Sequence, residues 1–236
     1  MFLTPYFKKE NQTITVLAEQ ASDFAKGVAQ DFNPIHSVGA KRFCVPGDLL
    51  FSLVLGEYGL SQKMTFNFAG MVGAGVELQF PETAEQQLEI RDNKDKLYLK
   101  VERLGDVRYC QTQIEYFIRS YVAFSGHNFT HVLVPMMEQH QMMINPARPL
   151  VIYESMSFDL TTLDFEQVAL SLVGQELKID GKRGDVTLNF ELHSGDQLVG
   201  TGLKTLVMSG LRPYDAELVK GMVGNYESYR TDFEQA

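Results

Sequence analysis

Asp31, Asn33, Pro34 and His36 stand within one short segment, Asp31-Phe32-Asn33-Pro34-Ile35-His36. A carboxylate and an imidazole that share one water molecule can pass a proton between that water and a substrate. Pro34 fixes its own φ and biases Asn33 away from the helical region, so the segment reads as a stiff extended loop. Such a loop aims Asp31 and His36 at one point from its two ends, with Asn33 orienting it. Downstream, Lys41-Arg42-Phe43-Cys44-Val45-Pro46-Gly47-Asp48 leads into an apolar run. A helix opening there offers free N–H groups and a positive dipole end to a developing oxyanion. Gly47, lacking a side chain, lets a carbonyl group approach those amides. Asp48 suits the dipole of such a helix, yet a carboxylate in the first turn would oppose a negative charge growing beside it. Lys41 and Arg42 are candidates for binding phosphates, set against the plainer reading of a solvated pair.

Helices and strands must position these groups. Residues 14–30 start strand-like and become helical, with Leu17, Ala21, Phe24, Ala25 and Val28 on one apolar stripe. Residues 31–47 hold two prolines and two glycines and read as an irregular excursion. The apolar run from Asp48 to Gly59 predicts a buried helix. Strand candidates rich in β-branched and aromatic residues follow over 64–80, 85–92, 96–104 and 109–124. The second half repeats this outline loosely. It has a helix candidate over 129–143 with Pro135 as a kink or early stop, strands over 149–160, 166–179, 185–193 and 197–210, and a closing helix over 213–229 with Pro213 in its first turn and Asp215 close behind. A helix followed by a meander of strands is a helix wrapped in a curled antiparallel sheet, an α+β fold.

Composition narrows the partners. The 236 residues allow one large or two ordinary domains, and 44% hydrophobic with 22% charged residues is normal for a globular protein. Thirty acidic against twenty-one basic residues leave a charge of −9, with no Lys/Arg cluster to neutralise phosphates. Nucleic acid and anionic membrane surfaces are therefore not expected partners. No apolar run approaches the roughly 20 residues needed to span a bilayer. Two isolated cysteines, Cys44 and Cys110, and an N-terminus without a signal-peptide pattern point to the reducing cytoplasm.

The segment 24–50 resembles the MaoC-like (R)-specific enoyl-CoA hydratases. Asp31, Asn33, Pro34 and His36 match that family's D-x-N-P-x-H. Arg42, Val45, Gly47 and Leu49-Leu50 fit its R-P-I-V-H-G-M-L stretch, and Phe80-Pro81 resembles its F-x-x-P. The resemblance covers roughly residues 14–118 and departs at Pro46, where the family has histidine, at Asp48, where it has an apolar residue, and at Ala29-Gln30, where it has Ser-Gly. It implies a double hot-dog, with a motif-bearing domain over 1–120 and a second, motif-less hot-dog-like domain over 121–236. It implies a bacterial lyase of fatty-acyl metabolism that adds water to C3 of a trans-2-enoyl thioester while a proton reaches C2. Asp31 and His36 would then be the catalytic pair, with Asn33 and Gly47 supporting them and Lys41 and Arg42 facing carrier phosphates. No metal or cofactor is implied, since coenzyme A or acyl carrier protein enters with the substrate. The assembly would be a monomer with a pseudo-dimeric core or a homodimer. A hot-dog protein that binds an acyl ligand or a protein partner without turnover is the competing reading.

Other motifs have plainer explanations. His127 and His131 share a helical spacing but have no intervening HExxH glutamate or evident further ligand. Gly70, Gly73 and Gly75 run into a strand candidate and not into a helix, which argues against a phosphate cradle. Asn128-Phe129-Thr130 is a formal glycosylation sequon without a secretory signal, and the methionines from 136 to 143 read as core filling.

Overall fold

The structure, a computed structural model, describes residues 2–235. Its first half runs β1 (Lys8–Glu10), β2 (Thr13–Thr15), α1 (Ala18–Gly27), α2 (Gly47–Tyr58), β3 (Leu60–Phe68), β4 (Glu77–Gln79), β5 (Gln87–Asp92) and β6 (Leu97–Arg108). Its second half runs α3 (Gln111–Gly126), a π-helical turn over Phe129–Leu133, α4 (Val134–Gln139), β7 (Met142–Met143) and β8 (Val151–Leu160). Then come β9 (Ala169–Asp180), β10 (Arg183–Ser194), β11 (Gln197–Ser209), β12 (Arg212–Pro213) and α5 (Ala216–Glu234).

Ten strands form one antiparallel sheet in the order β1-β2-β4-β5-β6-β3-β8-β11-β10-β9. Within the first half, β2-β4-β5-β6-β3 with α2 between β2 and β3 is the hot-dog arrangement. The second half repeats β8-β11-β10-β9 from the junction outward, while β7 pairs with β12 in a sheet of its own. The fold is α+β, an antiparallel sheet wrapped around a central helix in each half.

The halves meet where β3 pairs with β8, Phe66 opposite Met156 and Lys63 opposite Asp159. An ion pair of 2.9 Å joins those last two side chains. Under the junction α2 and α3 lie side by side. Leu49, Phe51, Leu53, Val54 and Leu55 are buried on several faces of α2, as befits a helix enclosed by sheet. Phe51 stacks on Tyr121 of α3 at 4.5 Å and meets Phe66 of β3 at 4.9 Å, so one core runs across both halves. A second cluster joins Met136, Met137 and Met143 to Leu188, Leu206 and Met208; the methionines are core filling.

Two expected elements are corrected. The stretch 109–124 is not a strand: from Gln111 on it is α3. Its β-branched and aromatic residues favour a strand by type, yet Ile114, Phe117, Ile118, Tyr121, Val122 and Ser125 are buried at three- and four-residue spacings, a helical stripe. The helix expected over 129–143 is divided into the π turn, α4 and β7. The domain boundary expected after residue 120 falls inside α3. Pro213 stands in β12, outside α5, whose N-cap Asp215 accepts the Leu218 N–H at 3.1 Å.

Candidate active site

The chain leaves α1 through Gln30, which takes a left-handed φ of 54°, and doubles back so that Asp31 N–H donates to Ala25 O at 2.8 Å. Asp31 Oδ1 accepts the Asn33 N–H at 2.9 Å, and Asn33 Oδ1 accepts the Ile35 N–H at 3.3 Å. Asn33 thus caps the short turn Pro34–His36 that turns the histidine inward.

His36 Nδ1 lies 2.7 Å from the carbonyl of Cys44. A carbonyl only accepts, so Nδ1 carries the proton and a neutral ring presents Nε2 as the basic nitrogen. Nε2 faces Asp31 Oδ2 at 3.5 Å, with 9% and 14% of the two side chains exposed. That gap is longer than a direct hydrogen bond of good strength and suits two groups converging on one water oxygen. Burial raises the Asp31 carboxyl above its ordinary value; His36 and the Asn33 N–H oppose the rise, and Asp48 adds to it.

Both residues open on a cavity of about 470 Å³ that Gly47 also lines. Gly47 opens α2 with Pro46 as its N-cap, one residue ahead of the start expected from the sequence. Gly47 and Asp48 are the first two residues of α2, whose N–H groups have no acceptor within the helix, and no side chain caps them. A side chain at Gly47 would meet the Tyr153 ring at 2.7 Å and that of Phe68 at 3.3 Å, so aromatic rings occupy the space a Cβ needs. Asn33 lines the cavity too. Lys41 and Arg42 are exposed on the loop between His36 and α2, outside the cavity lining.

The second half builds the rest of the wall. Leu133, Ile144, Val151, Ile152 and Leu206 make it apolar, joined by Met222 and Tyr226 of α5. Gly126, at the end of α3, packs against the loop before Asp31 so closely that a Cβ would lie 1.8 Å from Ala29 O. Tyr226 Oη accepts the Phe32 N–H at 3.1 Å and lies 3.1 Å from Gly126 O, tying α5 to both. Asn128 is 4% exposed, lines the cavity and has no partner for Nδ2.

Asp48 overturns one expectation. Its carboxylate does not stand open beside the α2 amides but is 1% exposed, bonded by Ser125 Oγ at 2.7 Å and by Tyr153 Oη at 3.0 Å. Lys204 Nζ, on a wholly buried side chain, lies 3.6 Å away and balances its charge. Sequence reading missed Ser125, Tyr153 and Lys204. A signal existed for the lysine: Lys204, Leu206 and Met208 alternate along β11, and all three are buried.

A model of the family described as "Protein of unknown function (DUF3581)" matches residues 1–217. No curated protein matches. Among solved structures, the chain is similar to a tesB protein of Mycobacterium avium subspecies paratuberculosis at 8% identity and a TM-score of 0.47, over 87% of this chain and 97% of that one. A MaoC-like dehydratase is similar at 11% identity and a TM-score of 0.46, over 87% and 98%. An acyl-CoA thioesterase II of Mycobacterium marinum is similar at 9% identity and a TM-score of 0.41, over 92% and 99%. Among the described residues no helix is long and apolar enough to cross a membrane.

Proposed function

The chain belongs to the DUF3581 family, and we propose that it is a MaoC-like hydratase or dehydratase interconverting trans-2-enoyl and 3-hydroxyacyl thioesters. The observation that carries this reading is the Asp31–His36 pair, 3.5 Å apart on the wall of an apolar cavity. His36 Nε2 takes a proton from the shared water as its oxygen bonds to C3. Asp31, whose burial favours the protonated form, supplies the proton that reaches C2, and the pair then exchanges protons to reset. Enolate charge on the thioester oxygen is met by the Gly47 N–H and the dipole of α2. The addition asks for no cofactor. The cavity volume is in the range of small-molecule sites, about 300–1,000 Å³, and its apolar wall suits an acyl chain. Lys41 and Arg42 offer charge to the phosphates of a coenzyme A or acyl carrier protein thioester.

A second reading, an acyl-binding protein without turnover, is favoured by the Tyr153 and Phe68 rings that lie against Gly47, where the thioester carbonyl must come. Crotonyl-CoA separates the two. Hydration removes the enoyl absorbance and yields 3-hydroxybutyryl-CoA, as the hydratase reading expects. Bound crotonyl-CoA recovered unchanged supports the binding protein, and neither binding nor turnover contradicts both.

A further inference from the structure

Behind the same cavity lies a second polar centre that the hydration chemistry does not use. It gathers side chains from four elements: Asp48 of α2, Ser125 of α3, Tyr153 of β8 and Lys204 of β11. Ser125 and Tyr153 line the cavity, while Asp48 and Lys204 stand behind them at 1% and 0% exposure. Ser125 Oγ is 2.7 and 2.9 Å from the two Asp48 oxygens and 2.8 Å from Tyr153 Oη. It also accepts a hydrogen bond from Lys204 Nζ. Tyr153 Oη donates to Asp48 Oδ2 at 3.0 Å, and the Lys204 ammonium lies 3.8 Å from the centre of the Tyr153 ring.

A buried ion pair on its own adds little to stability, because desolvation offsets most of the attraction. This one has drawn in a serine hydroxyl and set it at a cavity wall, donating to a carboxylate and accepting from an ammonium. A nucleophile bonded to its base, with the base held by third groups, is the geometry of covalent acyl transfer. The first-turn amides of Gly47 and Asp48, which have no acceptor within α2, belong to the residue carrying the base and its neighbour and are the candidate oxyanion donors. Burial lowers the Lys204 ammonium below its ordinary value, while Asp48 and Asp31 act against that.

We propose that Ser125 is a nucleophile, with Asp48 its base and Lys204 and Tyr153 its charge supports, forming an acyl-enzyme from an ester or thioester that enters the cavity. The Oγ–carbonyl bond forms as the Ser125 proton passes to Asp48. The C–S or C–O bond breaks, and that proton leaves with the thiolate or alkoxide. Water then attacks the acyl-serine, gives a proton to Asp48 and releases the carboxylic acid, and the proton returns to Ser125. The net reaction is hydrolysis, with water as the co-reactant.

The inference stands apart from the Asp31–His36 reading, and its test reads a covalent bond and not hydration. The folded full chain is treated with a short-chain alkyl fluorophosphonate, and intact mass and peptide mapping follow the adduct. One adduct on Ser125, absent from S125A and forming about 10²-fold more slowly in K204M, is the expected result. Mapping on the unaltered chain decides the matter even where a variant fails to fold. No adduct, or an adduct on another residue, overturns the proposal. A chain that hydrates crotonyl-CoA yet takes no adduct loses this inference and keeps the hydratase. An adduct on Ser125 without hydration does the reverse.

Discussion

The direction in which one carboxyl is perturbed sets a measurable signature at the residue scale. Burial raises Asp31 in the folded chain, whereas in the unfolded chain its value is about 3.9. Between those two values the native state holds a proton that the unfolded state has released, so the Asp31 contribution to stability falls as pH rises through that window. D31N removes this dependence. Thermal melts from about pH 4 to neutrality should show the variant gaining on the unaltered chain as pH rises; a constant difference would contradict the burial argument. Asp48 is buried as one half of an ion pair. Its partners make it part of a charge-balanced cluster, so D48M strands Lys204 in the interior. Urea unfolding should register a loss of about 3–5 kcal/mol, and D48M/K204M should lose less. The Asp31–His36 pairing was legible in sequence because proline and two Asx side chains fix that loop locally. The burial of Asp48 was not, because its partners come from three elements 77 or more residues away.

At the scale of elements, the site loop is held by α3 and α5 as well as by its own half. Gly126 presses on the loop ahead of Asp31, and Tyr226 bonds Phe32 N–H across 194 residues. Y226F leaves that buried N–H without an acceptor. We expect it to cost about 1–3 kcal/mol in chemical unfolding and to lower hydration more than it weakens crotonyl-CoA binding. Equal loss of both would mean that Tyr226 shapes the acyl pocket and not the loop. Of the elements, α2 was readable because its apolar run opens after Pro46-Gly47 and ends at Gly59. Nearly all of α3 was misread because residue type and periodicity disagree there, and burial of the Phe117–Tyr121–Ser125 stripe follows periodicity. The division of 129–143 has no sequence signal beyond Pro135. A π turn adds a residue to the helical ladder, which tertiary packing selects.

For the whole molecule, a continuous sheet and a core shared by α2 and α3 join the two halves. Cutting between them would bare the paired edges of β3 and β8, and unpaired edges invite aggregation. Calorimetry should therefore give a single transition whose calorimetric and van't Hoff enthalpies agree; two separated transitions would mean independent domains. The motif-less half also walls the cavity on which Asp31 and His36 open. The claim that this pair activates a water toward an enoyl thioester is tested most directly by the initial rate of crotonyl-CoA hydration in the unaltered chain, D31N and H36A, each shown to be folded. Each variant should be slower by about 10²–10⁴-fold, while crotonyl-CoA still binds. Hydration at an undiminished rate in either variant would contradict the account.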